Sequence, residues 1–246
     1  MTRSLRGNCA IVGTAESDLG IVAPGMSPTD LMAQATVRAL DDCGLQLRDV
    51  DALLTATSQS RMAALSLCEY LGVQPTYFDS TQIGGSSFMA HVAHVQAAIE
   101  AGQCEVAVVC YGSTQRSVGR STASVREPNP YEDPYRPMMP VSAYALAASR
   151  HMHLYGTTRE NLAEVAVAAR QWAKLNPQAF RRDDLSIEDV LNAPRVSHPF
   201  TVRDCCLVTD GGGAIVLTSA ARAKDLKHKP AYVLGTGECI SHSMIT

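Results

Sequence analysis

The chain has 246 residues, 46% of them hydrophobic and 18% charged. That is apolar mass enough for a full core, and it excludes a disordered chain. The formal charge is only −3 and no basic face stands out, which argues against nucleic acid as a main partner.

The elements alternate along the chain. Residues 8–14 (NCAIVGT) read as a short buried strand stopped by Gly13. A helix follows in MSPTDLMAQATVRALDDCG, with Ser27 as N-cap, Pro28 at its first position and Gly44 closing it. DVDALLTATS gives a second strand, RMAALSLCEYLG a helix closed by Gly72, and residues 76–80 (TYFDS) a third strand. A Gly-Gly-Ser-Ser turn then leads into a helix over about 86–101, and residues 104–112 (CEVAVVCYG) form a strand apolar on both faces. Strand and helix in alternation predict an α/β fold with a largely parallel core.

The pattern changes at residue 113. Pro128, Pro130, Pro134, Pro137 and Pro140 forbid regular structure, so 113–140 reads as a long excursion of the kind that often carries function. VSAYALAASRHMHLYG and TRENLAEVAVAARQWAKLN read as helices, the second capped by Thr158 with Glu160 in its first turn. Residues 177–204 read as an irregular connector. The glycine run 211–213 precedes a buried strand over 214–217, and one more strand starts at about 231. That last strand either closes a sheet edge or opens a part of a longer polypeptide.

The eight cysteines are scattered without C-x-x-C spacing, no signal-peptide pattern opens the chain, and no apolar run is long enough to span a membrane. Reduced thiols in a cytoplasmic protein are the expectation. His151 and His153, at i and i+2, point to different helix faces, so no metal site is expected there; Cys205-Cys206 reads as thiol rather than ligand.

Chemistry concentrates at Gly84, Gly85, Ser86 and Ser87. A turn between strand and helix at the carboxyl edge of a parallel sheet is where α/β proteins place ligands, and a helix N-terminus offers unpaired N–H groups and positive dipole. The two glycines admit close approach of a carbonyl, carboxylate or phosphate. A serine nucleophile needs an adjacent base, and His91 and His94 lie a turn or more away on the same helix. Ser86 or Ser87 as a simple helix cap is the competing reading.

The stretches AIVGTAES, EYLGVQPTYFDSTQIGGSSF, AAIEAGQCEVAVVCYGSTQRS, YALAASRHMHLYGTTRENLAEVAV and HPFTVRDCCLVTDGGGAIVLTS cover most of the chain, and in their order and spacing they resemble the N-terminal half of the thiolase superfamily, near the sterol carrier protein and lipid-transfer thiolases. The resemblance implies a thiolase-like layered α-β-α fold: residues 1–112 and 205–230 as the N-terminal α/β domain, 113–204 as an inserted loop domain, and 231–246 as the start of a second half. It implies a coenzyme A thioester as substrate rather than a tightly bound cofactor, and a homodimer. The reaction would be carbon–carbon cleavage or acyl transfer in lipid, steroid or aromatic catabolism, of the acetyl-CoA acetyltransferase kind.

One departure stands out. Thiolases carry a nucleophilic cysteine in this turn, at the position of Gly85, and no cysteine lies between Cys68 and Cys104. Classical thiolase activity is therefore not expected of this chain alone. Two alternatives follow from the resemblance: a retro-aldolase on acyl-CoA working with an OB-fold partner, or a non-catalytic acyl-CoA-binding subunit. A retro-aldolase needs a general base, for which Tyr111, Tyr144 and His198 are the candidates.

Overall fold

The computed structural model describes residues 5–118 and 129–242. They fall into two compact units, one of residues 5–118 with 208–239 and the other of 129–207 with 240–242.

In the first unit, the described residues form a six-stranded sheet in the order β3-β2-β4-β7-β1-β8. Its strands are β1 (Cys9–Glu16), β2 (Ala52–Thr55), β3 (Tyr77–Asp79), β4 (Val106–Ser113), β7 (Gly211–Ser219) and β8 (Ala231–Tyr232). The helices are α1 (Pro28–Cys43), α2 (Ala63–Leu71), α3 (Ser87–Glu100) and the single turns α4 (Gln115–Val118) and α8 (Ala220–Ala223). β2 pairs in parallel with β3 and β4, but β7 runs antiparallel to both β4 and β1, and β8 runs antiparallel to β1. The expectation of a largely parallel core is corrected accordingly. Ser113 at the end of β4 pairs with Gly211 at the start of β7, so the chain re-enters the sheet at the end it left and must run back. The glycine run 211–213 lies inside β7 rather than before it. A Cβ on Gly212 would sit 2.4 Å from the Tyr111 carbonyl oxygen, which leaves room there only for glycine.

Two layers of helix cover the sheet, sorted by the period of two in the strands. Val106, Val108 and Cys110 of β4, with Ala10, Leu53 and Val216, pack with α1 and α2. Ala107 and Val109, with Ala52, Leu54 and Leu217, pack with Val92, Val95 and Ala98 of α3. Each fully buried leucine here contributes about 2–3 kcal/mol. α1 starts as its sequence predicts, with a Ser27–Asp30 capping box and Pro28 at N1, and ends on Gly44 at φ 80°. Its backbone rests directly on two glycines. A Cβ on Gly13 would lie 2.3 Å from the Ala39 carbonyl oxygen, and one on Gly112 would lie 2.4 Å from that of Pro28.

The second unit contains α5 (Val141–Tyr155), α6 (Arg159–Leu175), α7 (Ile187–Leu191) and a hairpin of β5 (Arg195–Ser197) and β6 (Phe200–Thr201). The reading of 177–204 as irregular is corrected by α7 and the hairpin, which are too short to show a period in sequence. α7 has its own capping box, Ser186 with Asp189. Among the prolines, Pro130 to Pro140 leave only a 3-10 turn at Asp133–Tyr135 before α5 opens after Pro140; Pro128 lies outside the described residues. Thr158 caps α6 through Asn161. The first turn of α6 is tied down by a two-pronged pair, Arg159 Nη1 and Nη2 to the Asp204 carboxylate at 3.1 and 2.9 Å. Among the described residues no helix is long and apolar enough to cross a membrane.

Candidate active-site turn

β3 ends at Asp79 and α3 begins at Ser87, so residues 80–86 form the turn. Gly84 has φ 76°, a left-handed conformation that a side chain would strain. Gly85 is different: a Cβ there would meet nothing within 4 Å, so this position faces open space. The two serines divide their roles. Ser86 occupies the N-cap position, is exposed, and makes no side-chain capping bond. Ser87 is fully buried, and its hydroxyl accepts from the Ile83 N–H at 2.9 Å and donates to the Gly84 carbonyl at 2.7 Å. The expected serine cap is therefore replaced by a bond from Ser87 back into the turn. The Ser87, Met89 and Ala90 N–H groups already bond to the Gly84 and Ser86 carbonyls, so it is the positive end of the helix dipole that faces whatever approaches Gly85 and Ser86.

No thiol is poised to attack from this sheet. Burial pushes Cys9 and Cys110 up to about 12 and Cys104 to about 11, so all three stay protonated near neutrality.

A cavity of about 650 Å³ opens beside the start of α3, lined by Thr14, Glu16, Phe88, Met89, Tyr111 and Ile215 among others. Tyr111 is 39% exposed there, with its ring edge-on to Phe88 at 5.3 Å. Of the three candidate bases, the structure therefore brings Tyr111 together with the first turn of α3. Tyr144, on α5, and His198, between β5 and β6, are exposed residues of the second unit.

Sequence reasoning passed over the polar groups beneath the turn. Asp79 Oδ1 accepts from the Thr81 N–H at 2.8 Å and hydroxyl at 2.9 Å, while Asp79 Oδ2 lies 2.5 Å from His94 Nδ1. Burial opposes ionisation of Asp79, but the Thr81 donors and His94 outweigh it and hold the carboxyl below its ordinary range. His91 Nε2 lies 3.1 Å from the Thr81 carbonyl oxygen, and burial lowers the pKa of this ring. The available signal was two histidines at i and i+3 on one helix face, downstream of an aspartate closing a strand.

Asp210 was missed as well. Buried at the entry to β7, it accepts from the N–H groups of Val22 at 3.2 Å, Arg116 at 2.7 Å and Ser117 at 2.9 Å, and from the Ser117 hydroxyl. One carboxylate thus fixes the loop after β1 and the turn after β4.

The second unit has its own cavity of about 430 Å³ along α6, lined by Leu162, Val165, Ala169 and Phe200 with Arg181 and Arg203. Among the described residues no three His, Cys, Asp or Glu side chains cluster as metal ligands.

The mixed sheet between helical layers, with a glycine turn feeding α3, is a thiolase-like fold. No protein-family model matches the sequence. A 17-hydroxy-3-oxo-4-pregnene-20-carboxyl-CoA lyase of Mycobacterium tuberculosis is 33% identical across 98% of this chain and 65% of its own length. Among solved structures, an Ltp2-ChsH2(DUF35) aldolase superposes with a TM-score of 0.81 at 30% identity, over 94% of this chain and 61% of its own. A human mitochondrial 3-ketoacyl-CoA thiolase superposes with a TM-score of 0.68 at 18% identity, over 91% of this chain and 69% of its own, a likeness of fold. The chain spans just under two thirds of the length of the first two.

Proposed function

We propose that this chain acts on coenzyme A thioesters and takes part in a retro-aldol cleavage of a β-hydroxy acyl-CoA, without a covalent acyl-enzyme. The observation that carries the reading is the β3–α3 turn: an open glycine position at a helix N-terminus, with no cysteine in it. The relatives named as a lyase of an acyl-CoA and as an aldolase support it.

In this reaction a base takes the proton of the β-hydroxyl. The Cα–Cβ bond breaks and leaves a ketone or aldehyde on one side. The electron pair passes into the thioester as an enolate, which is then protonated at Cα. Negative charge grows on the thioester oxygen, and the helix N-terminus past Gly85 and Ser86 is placed to stabilise it. Gly84 and Ser87 shape that approach from inside the turn. Tyr111 is the base candidate in the same unit as the turn, near the first turn of α3; Tyr144 and His198 are the other two candidates. The thioester is substrate, and no tightly bound cofactor enters the scheme.

The reading extends to a cytoplasmic homodimer working with an OB-fold subunit; the two component names of the Ltp2-ChsH2(DUF35) aldolase support a partner subunit as such. It extends also to a domain layout in which 113–204 is the inserted loop domain. The test is native mass spectrometry with 17-hydroxy-3-oxo-4-pregnene-20-carboxyl-CoA, followed by product analysis with and without an OB-fold partner. Non-covalent binding and C–C cleavage are expected. A covalent acyl adduct would overturn the cysteine-independent scheme, and binding without cleavage under both conditions would favour a non-catalytic acyl-CoA subunit.

A further inference from the structure

The histidines of α3 do something a helix facing a core does not require. His91 is 0% exposed, and its Nδ1 is buried with no protein partner among the described residues. A ring of this size could be replaced there by an apolar side chain with no orphaned acceptor, and an orphan costs about 1–3 kcal/mol. The bond that His91 does make fixes its state. Nε2 faces a carbonyl oxygen, which only accepts, so Nε2 carries the proton and Nδ1 is the bare lone pair. A second proton on Nδ1 would be buried without an acceptor, so the ring stays neutral.

The partner of that bond is informative. The Thr81 carbonyl belongs to the turn, and neighbouring turn groups are held by side chains in the same way. Asp79 holds the Thr81 N–H, and His94 steadies Asp79 from α3. Ser87 holds the Ile83 N–H and the Gly84 carbonyl. α3 therefore staples the chain that leads into its own N-terminus through His91, His94 and Ser87. These ties stop at Gly84, immediately before the two residues that face open space.

We infer that His91, with the His94–Asp79 pair, is a positioning element that fixes the path of residues 81–84 and so sets where Gly85 and Ser86 present the helix N-terminus. This rests on the reading of the turn as the thioester site. Its consequence is that the approach to Gly85 and Ser86 is held by hydrogen bonds from the helix side.

The test uses the full chain in two variants. His91→Leu removes the donor, and His91→Gln restores an N–H near the place of Nε2. Hydrogen exchange of the amides of 82–86 reads the turn directly, and turnover of 17-hydroxy-3-oxo-4-pregnene-20-carboxyl-CoA reads the site. His91→Leu is expected to speed exchange in the turn about tenfold and to lower kcat by up to about 100-fold with KM little changed, the scale of a misplacement of about 1 Å. His91→Gln is expected to recover most of both. Equal behaviour of the two variants, or unchanged exchange in His91→Leu, overturns the inference. Faster exchange in His91→Leu with recovery in His91→Gln, from a wild-type chain that neither binds nor turns over the thioester, upholds the positioning and overturns only the thioester reading. Should His91→Leu not fold, His94→Leu carries the same test, since that side chain is 34% exposed and its removal releases Asp79. Unchanged exchange there counts equally against the inference.

Discussion

Replacing Gly13 by alanine places one methyl group where α1 touches the sheet. The new Cβ would lie 2.3 Å from the Ala39 carbonyl oxygen and 3.0 Å from Cys43 Cβ and Sγ. Neither neighbour is the free end of a flexible chain, so α1 must retreat by about 1 Å to restore ordinary contact. A radial gap of ~0.5–1 Å forfeits a quarter to a half of each dispersion well along the lifted face. That face carries Leu31, Met32, Ala35, Ala39, Leu40 and Cys43, all buried. Overpacking of this kind costs about 1–3 kcal/mol, and a backbone contact belongs at the upper end. The smaller freedom of alanine in the unfolded chain returns ~0.5–1 kcal/mol, so the net loss expected is about 2 kcal/mol. Urea unfolding followed by circular dichroism would show a midpoint lower by about 1 M. Gly112→Ala should behave alike, its Cβ being 2.4 Å from the Pro28 carbonyl oxygen. Gly85→Ala is the control: nothing lies within 4 Å of its Cβ, so only the unfolded-chain gain applies and its midpoint should hold or rise slightly. A Gly13→Ala midpoint equal to that of Gly85→Ala would refute the contact between helix and sheet.

Asp210→Ala strips the acceptor from three backbone N–H groups and should lower stability by about 3 kcal/mol or more, read as a fall in melting temperature. A fall no larger than that of an exposed aspartate variant would count against its role as the hub. Ser27→Ala breaks the capping box of α1 and should cost about 1 kcal/mol in the same urea assay, with Ser27→Thr, which keeps the hydroxyl that donates to Asp30, recovering most of it. Asp204 carries an acid-dependent share of stability. Burial raises its pKa, but Arg159 and Thr201 outweigh burial and hold it below 3.8. A depressed folded value means the contribution is whole above the unfolded pKa and is lost as pH falls through the folded one. Asp204→Asn should therefore be less stable than wild type at neutral pH, with the gap closing as pH falls below the ordinary aspartate value and through the lower folded one. A gap that is constant with pH would contradict this.

The local elements were legible because their signals are local. Ser27 with Pro28, Gly44 and Gly72, and Thr158 lie within a turn of the helix ends they define, so capping chemistry reads directly from neighbours in the chain. The Gly84-Gly85 turn was visible for the same reason. The ties from His91 to Thr81 and from His94 to Asp79 were not, because they join a helix to the strand end and turn before it, and a histidine on an apolar face reads as core.

Sequence alone determined the longer helices and the presence of the strands in the first unit, that a cysteine-free glycine turn precedes α3, and which superfamily the chain resembles. Each follows from residues adjacent in the chain or from their order. Sequence did not show the single turns α4 and α8 or the start of β7. Tertiary structure decided the direction of β7, which depends on where the excursion returns to the sheet. It also decided that glycines 13, 112 and 212 are seats for close backbone contact. Finally, it turned Ser87 inward and left Ser86 exposed, a choice between two adjacent serines that depends only on which of them faces the core when α3 packs.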